Sequence, residues 1–253
     1  SLKVKAGDIV KVGMEIGRCG NTGYSAQPHI HLQVQERPQL GSETTFFYLN
    51  GCKNRKQELL VRKNLDDGMA VESVLPSRRR KRQFGFILDD FFIYSVSANQ
   101  AKITKVMIRV KMSRDGAFYF YSPGTEDKLF FGIENEIFFF YSLEGDPGSL
   151  LASLFLALPK VPLSRDKDLS WREILPDDLL CGKRRMRLFL KSFNHDLGRT
   201  SGEYRFIGTD EISGVIATDK GAIKTYVLLD SKKGIREITI ERNGATSSMK
   251  LEG

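Results

Sequence analysis

The sequence predicts a mainly β protein, and its aromatic content and its turn pattern are the observations that support this fold class. The chain of 253 residues contains 17 Phe and 8 Tyr, which favour the pleated surface of a sheet. In the C-terminal part, clusters of Gly, Asn and Asp recur at about ten-residue spacing, which is typical of an antiparallel sandwich or barrel. We therefore expect a partial N-terminal sheet, followed by a C-terminal antiparallel β-sandwich or barrel with one short helix.

Short strands are predicted at the N-terminus, where β-forming residues are separated by glycines. The segment from Leu2 to Gly20 is rich in Val and Ile and contains glycines at its turns. Residues 20–23, Gly-Asn-Thr-Gly, are dense in residues that accept positive φ and predict a sharp turn. Pro28 cannot donate to a ladder and fits the first position of the strand that follows.

Two histidines at alternate positions of this strand are the candidate functional residues. Alternate side chains of a strand share a face, so His29 and His31 would project together, about 7 Å apart. Ile30, Leu32 and Val34 would then face apolar packing. Imidazole is the commonest metal ligand at neutral pH and a general acid or base. The spacing alone is also compatible with two surface histidines that bind no metal.

A longer pattern surrounds the pair: Gly-Asp-x-Val-x-x-Gly-x-x-Ile-Gly-x-x-Gly-Asn-Thr-Gly-x-Ser, followed by Pro-His-x-His-Leu-x-Val. It resembles the C-terminal half of the LytM/lysostaphin-type zinc endopeptidases. The resemblance implies a barrel-sandwich-hybrid-like sheet, zinc as cofactor, His31 as a zinc ligand and His29 as a catalytic histidine. It also implies a cell-envelope protein that hydrolyses peptide cross-links of peptidoglycan. The matching positions are Gly7, Asp8, Val10, Gly13, Ile16, Gly17, Gly20, Asn21, Thr22, Gly23, Ser25, Pro28, His29, His31, Leu32 and Val34.

The other zinc ligands of that family have no counterpart in this sequence. Members carry an upstream His-x-x-x-Asp motif that supplies two ligands, whereas the matched region here begins close to Ser1. The third histidine, His195, is far downstream and is interpreted as a surface residue of a loop. A catalytic zinc needs about three protein ligands and a water. We therefore expect this chain to be part of a longer protein, with a possible membrane-anchored upstream segment, and to be inactive as a peptidase by itself.

The composition indicates acidic partners. The net charge is +8 and the pI is 9.3, which favours anionic envelope polymers, lipid head groups or nucleic acid. The basic run from Arg78 to Arg82 is interpreted as a solvated linker or as a docking segment for an anionic surface. It contains no aromatic residues, which argues against a nucleic-acid groove. Cys19, Cys52 and Cys181 lack metal-site spacing and are interpreted as buried thiols, with one disulfide pair left open.

We divide the chain into residues 1–50, the peptidase-like part, residues 51–83, a linker with the basic run, and residues 84–253, a β-rich accessory domain. One helix is predicted from Leu150 to Leu158, because Asp146 or Ser149 can cap its start and Pro159 ends it. Other apolar runs are too short for the about 20 residues of a membrane-spanning helix. Strands are predicted over residues 46–49, 59–61, 86–94, 103–112, 117–121, 129–133, 136–142, 186–192, 202–208, 214–219, 222–229 and 234–242.

Two further interpretations stay open. The β-rich domain could be a non-enzymatic module that binds a glycan, lipid or protein, and a long aromatic-lined pocket inside its sheet would favour this. It could also be a regulatory module attached to a membrane or envelope protein, such as a multi-pass transporter of the urea-transporter type. A biotinyl or lipoyl carrier is disfavoured, because Lys111 lies far from the Gly-rich region that would have to present it.

Overall fold

The computed structural model describes residues 2–11, 13–21, 23, 26–39, 41–48, 50–61, 67–98, 103–176, 179, 200–219 and 221–252. The mainly β fold class is confirmed, since these ranges consist largely of antiparallel strands. None of the helices within them has the length and apolarity needed to cross a bilayer. The chain divides into two compact units, unit 1 (residues 1–48) and unit 2 (residues 49–253).

Unit 1 contains little regular structure. Its described residues include two short strands, β1 (Val34–Gln35) and β2 (Thr44–Thr45), which pair antiparallel. The strands predicted between Leu2 and Gly20 are reduced to isolated antiparallel bridges, Leu2 with Gly17 and Gly20 with His29. An isolated two-stranded ribbon is only marginally stable in water unless one of its faces is packed against other residues. The faces of the ribbon in unit 1 are not packed in this way.

The hydrophobic side chains of unit 1 lie at its surface. Ile30 is 78% exposed and Leu32 is 64% exposed, so the expectation that they pack in an apolar interior is wrong for this chain. Among the described residues of unit 1, no hydrophobic side chain is fully buried. The other large exposed apolar residues are Leu2, Ile9, Val10, Met14, Ile16, Val34, Phe46 and Tyr48.

This exposure predicts that unit 1 is the first part of the chain to be proteolysed. A region with few buried apolar contacts opens at low free energy, and unit 1 offers exposed basic residues such as Lys11 and Arg37. We expect trypsin to cleave within residues 1–48 at least about tenfold faster than within the sheet of unit 2. A time course read by intact mass spectrometry tests this. Survival of residues 1–48 after the sheet has been cut would contradict it.

Unit 2 is built around one large antiparallel sheet, which contains twelve strands within the described residues. The sheet order is β11-β10-β9-β8-β7-β6-β17-β16-β15-β14-β13-β12. The chain therefore runs outward from β6 to one edge, crosses to the other edge and returns inward to β17. The strands are β6 (Phe91–Ala98), β7 (Thr104–Met112), β8 (Phe118–Ser122), β9 (Asp127–Glu134), β10 (Ile137–Glu144), β11 (Lys160–Pro162), β12 (Ser170–Ile174), β13 (Ser201–Phe206), β14 (Glu211–Thr218), β15 (Gly221–Leu229), β16 (Ile235–Arg242) and β17 (Ala245–Leu251).

Most of these strands lie within a few residues of their predicted positions, but β17 was missed. The turn Asn243-Gly244, in which both residues have positive φ, connects β16 to β17 and is a strong hairpin signal. β17 pairs with β6, for example Met249 with Val96 and Leu251 with Tyr94, and so joins the two halves of the sheet. β11 and β12 were likewise not predicted. The strand predicted over residues 186–192 lies outside the described residues.

The two edge strands of the sheet face each other and nearly close it. β11 and β12 are not hydrogen-bonded to each other in the described residues, but the Lys160 ammonium lies 2.6 Å from the Glu173 carboxylate. Chain segments from residues 51–83 occupy the other end of this seam. Glu58 forms a parallel bridge with Ser170, and Pro76 forms an antiparallel bridge with Ser164.

The segment interpreted as a linker lies in unit 2 and is structured over its described residues. It forms a three-stranded sheet of β3 (Cys52–Asn54), β4 (Leu59–Leu60) and β5 (Val71–Ser73). The basic run forms helix α1 (Arg78–Gln83), whose N-cap Ser77 accepts a hydrogen bond from the Arg80 amide. Cys52 is buried as expected, whereas Cys19 is exposed, and Cys181 lies outside the described residues.

Helix α2 (Leu150–Ala157) fills the interior of the large sheet. It is capped by Ser149 as predicted, and Leu151, Leu154 and Phe155 are buried. It contacts β9 and β10 from one half of the sheet and β15 and β16 from the other. The Tyr204 hydroxyl donates to the Leu156 carbonyl at 2.8 Å, which satisfies one of the acceptors that a helix leaves unpaired at its C-terminus.

Arg80 of α1 is a buried charge, so the solvated loop expected for the basic run is wrong at this position. The residue is 3% exposed, and its Nη1 donates to the carbonyls of Ser164 and Asp166, the latter at 2.7 Å. Its guanidinium carbon lies 3.4 Å from the Phe206 ring centroid. Burial lowers the pKa of Arg80 to about 10, so the side chain stays charged at neutral pH.

A nearly buried ion pair, Lys53–Asp166, joins β3 to the loop between β11 and β12. Lys53 donates to Asp166 Oδ1 at 2.5 Å and to Gln57 Oε1 at 2.6 Å. Burial alone would raise the pKa of Asp166, but hydrogen bonds from Lys53 and Ser164 outweigh it and lower that pKa. The hydrogen bond to Asp166 raises the pKa of Lys53 against the opposing effect of burial.

The Lys53–Asp166 ion pair predicts that the stability of unit 2 falls at both low and high pH. We expect Asp166→Asn to lower the free energy of unfolding by about 1.5–3 kcal/mol at pH 7, the range for hydrogen bonds to charged groups. A depressed Asp166 pKa contributes stability above pH ~4, and this stability is lost as pH falls through the folded pKa. A raised Lys53 pKa contributes stability below pH ~10, and this stability is lost as pH rises through the folded pKa. Urea unfolding at pH 3, 7 and 11 tests this; a difference between the two proteins that does not change with pH would contradict it.

Candidate functional site

The histidine pair lies in unit 1, directly after the Gly-rich turn. The antiparallel bridge between Gly20 and His29 brings the two arms of that turn together, and Gly23 has φ +85°, which only glycine adopts without strain. The predicted hairpin is therefore present at its base. Two motif positions, Thr22 and Ser25, lie outside the described residues.

Both imidazole rings are at the surface and are oriented by nearby polar groups. The His29 Nδ1 lies 2.9 Å from the Gln27 carbonyl oxygen. Because a carbonyl only accepts, this nitrogen carries the proton, and in the neutral ring the lone pair is then on Nε2. The His31 Nε2 lies 2.8 Å from Oε1 of Gln33. If Nε2 donates to that oxygen, the lone pair of His31 is on Nδ1, the atom that could then bind a metal.

The described residues do not complete a metal site around these histidines. No group of three or more His, Cys, Asp or Glu side chains with metal-binding geometry occurs among them. A zinc site with three protein ligands therefore does not fit the part of the chain that the structure describes. The third histidine, His195, lies outside the described residues.

The small cavity described inside unit 2 is not a ligand pocket of the kind that would favour a binding module. The cavity between β6, β7, β8 and α2, lined by Phe86, Tyr94, Phe120 and Leu154 among others, has a volume of about 10 Å³, close to that of a single water probe. Since α2 occupies the space enclosed by the sheet, the aromatic residues that face inward form a packed core.

Sequence reasoning missed an aromatic surface on the outside of unit 2. Tyr119 and Phe130 are neighbours with ring centroids 5.2 Å apart, and Phe130 and Tyr141 are 5.9 Å apart. The signal was present as runs of aromatic residues, Phe118–Tyr121 in β8 and Phe138–Tyr141 in β10. Such runs place rings on both faces of a strand.

Comparisons with known proteins bear on the resemblance of residues 1–50 to zinc endopeptidases. No protein-family model matches the chain. A curated protein of Buchnera aphidicola subsp. Baizongia pistaciae, described as an uncharacterized metalloprotease, is 33% identical over 72 residues. The chain is metalloprotease-like over part of its length. The match spans 28% of this chain and 17% of that relative, and a metalloprotease relationship implies a metal.

Proposed function

We propose that this chain is part of a zinc metalloendopeptidase of the LytM/lysostaphin type, located in the cell envelope, that hydrolyses peptide cross-links of peptidoglycan. The observation that carries the proposal is the Gly-rich hairpin that presents His29 and His31 at the surface, within a pattern shared with that family. The partial similarity to a metalloprotease supports the same class of chemistry. In this proposal residues 1–50 belong to the peptidase domain, and the remainder is accessory.

His31 is assigned as one metal ligand and His29 as the histidine that holds or moves a proton. The Gln27 carbonyl fixes the His29 ring and its tautomer, as a general base requires. The other metal ligands come, in this proposal, from a His-x-x-x-Asp motif outside this chain. The exposed apolar residues of unit 1 are consistent with this, because they would be covered by the rest of the peptidase sheet.

Metal analysis separates the roles of the two histidines. We expect this chain to bind far less than one equivalent of zinc after dialysis, and a chain extended by the upstream motif to bind about one. In the extended protein, His31→Ala should weaken zinc binding by more than the about 10–100-fold that loss of an outer-shell partner causes. His29→Ala should keep the zinc but lower the release of amino termini from purified peptidoglycan by about 10²–10⁴-fold.

His195→Ala is the matched control, and we expect it to bind zinc and hydrolyse peptidoglycan like the unmodified protein. Two results would refute the assignment: stoichiometric zinc retained by the His31→Ala variant, or full hydrolysis by the His29→Ala variant.

A further inference from the structure

The outer face of β8, β9 and β10 carries a continuous row of aromatic rings, which we name the aromatic strip: Tyr119, Phe130, Phe139 and Tyr141. Neighbouring ring centroids along the row are 5.2 Å, 5.9 Å and 6.0 Å apart. Tyr141 is 49% exposed, and the other three rings are partly exposed. The strip therefore presents ring surface to solvent over four side chains.

Formation of the core does not account for these rings. The inward positions of the same strands are filled by Phe120, Phe131 and Phe138, which are buried. Cross-strand contacts between outward rings add only about 0.2–1 kcal/mol each to a sheet, and β-branched residues are also favoured in strands. Exposed aromatic residues that adjoin one another are characteristic of binding surfaces.

The aromatic strip ends in a cleft at the seam of the sheet. The cleft has a volume of about 250 Å³ and is lined by Phe139, Tyr141, Pro159, Lys160, Glu173 and Ile174, among others. This volume is near the lower end of the about 300–1,000 Å³ of ligand pockets. Its polar groups are the ammonium and carboxylate of the Lys160–Glu173 pair, which are 28% and 22% exposed and can donate and accept hydrogen bonds.

Two of the lysines beside the aromatic strip are already paired with carboxylates. Lys128, whose ammonium lies 5.9 Å from the Tyr119 ring, is 2.9 Å from Glu144, and Lys160 is paired with Glu173. A polynucleotide requires a groove of available cations beside its stacking rings, and these two lysines are already neutralised. Lys111, the cross-strand neighbour of Tyr119, is exposed and lies 5.0 Å from the Tyr121 ring, so binding of a polyanion has to be tested beside binding of a polysaccharide. Flat rings flanked by hydroxyl, ammonium and carboxylate groups match the apolar faces and the hydroxyl edges of sugar rings.

We propose that the aromatic strip and the seam cleft form a binding surface for a neutral or weakly charged polysaccharide, with sugar rings stacked on the aromatic side chains. This surface belongs to unit 2 and does not depend on hydrolysis by unit 1. It would hold the chain on a glycan whether or not the histidine pair is part of an active site.

Co-sedimentation of the full chain with insoluble chitin, cellulose and purified peptidoglycan sacculi tests the proposal. We expect binding to at least one of the three. The double variant Tyr119→Leu/Tyr141→Leu keeps apolar side chains on the strands but removes two flat rings, and it should bind about tenfold more weakly or worse. Emission from Trp171, the single tryptophan, verifies that each variant is folded.

Two control variants test whether binding depends on the aromatic strip in particular. Tyr226→Leu changes an exposed tyrosine of β15, outside the aromatic strip, and should bind like the original chain. His29→Ala/His31→Ala should also bind unchanged, since the surface is independent of the peptidase proposal. The proposal is overturned if none of the three polysaccharides is bound, if the double variant binds as well as the original, if the histidine variant loses binding, or if the tyrosines are needed instead for oligo(dT) binding at physiological salt.

Discussion

Replacing Arg80 by alanine should lower the free energy of unfolding of unit 2 by about 3–5 kcal/mol, because each buried carbonyl left without a donor costs about 1–3 kcal/mol. The substitution leaves the carbonyls of Ser164 and Asp166 without their donor, and it opens a void over the Phe206 ring. For a unit of this size the midpoint of thermal unfolding should fall by about 6–20 °C. Urea unfolding can be followed through Trp171, which is 5% exposed and lies against Phe206 at 4.9 Å.

Arg78→Ala is the matched control for this substitution. Arg78 lies on the same helix but is exposed, and surface substitutions usually change stability by less than about 0.5 kcal/mol. Arg80→Lys should fall between the two, because a lysine keeps the charge but lacks the planar guanidinium that reaches several carbonyls at once. Equal losses from Arg78→Ala and Arg80→Ala would show that Arg80 does not have the structural role assigned to it.

Leu154→Ala in helix α2 should destabilise unit 2 by about 2–5 kcal/mol. Leu154 is 2% exposed and lines the small cavity together with Phe86 and Phe120. Because the surrounding sheet is held by hydrogen bonds on both sides, it can only partly collapse into the space left by the lost methyl groups, and a larger cavity should remain. Urea unfolding and a xenon-binding measurement on the folded variant together test both the loss and the cavity.

The control for Leu154→Ala is the same change at Leu150, one turn earlier on the helix. Leu150 is only partly buried, so its truncation should cost less than about 1.5 kcal/mol, since less apolar area returns to water. A Leu150→Ala loss as large as that of Leu154→Ala would mean that α2 is not packed inside the sheet as described.

The predicted strand and helix positions are accurate where local residues define both ends of the element. β7 and β8 are joined at Asp115-Gly116, where Gly116 has the positive φ that such hairpin turns require. α2 begins after the Ser149 cap and ends before Pro159, as helix-terminus rules expect. β17 was missed although Asn243-Gly244 has the same signature, because its strand, Ala245–Leu251, is only weakly hydrophobic.

The candidate site could be proposed from sequence only as a spacing of residues. His29 and His31 are two positions apart, and the Gly-rich turn before them is visible in the residue pattern. Their exposure, and the contacts of the rings with Gln27 and Gln33, required the structure. The aromatic runs of the strip are visible in the sequence, but the adjacency of Tyr119, Phe130 and Tyr141 depends on the register in which three strands pair.

The sequence by itself determined the mainly β class, the ends of α2 and the histidine pair, because each depends on residues within a few positions of one another. Only the tertiary structure decided that a basic run would bury Arg80, since its partners Ser164, Asp166 and Thr209 are 84, 86 and 129 positions away. It also decided that β11 and β12 would meet at a seam and that α2 would lie inside the sheet. Contacts between residues so far apart form only when the whole sheet closes around its core, and no local pattern encodes them.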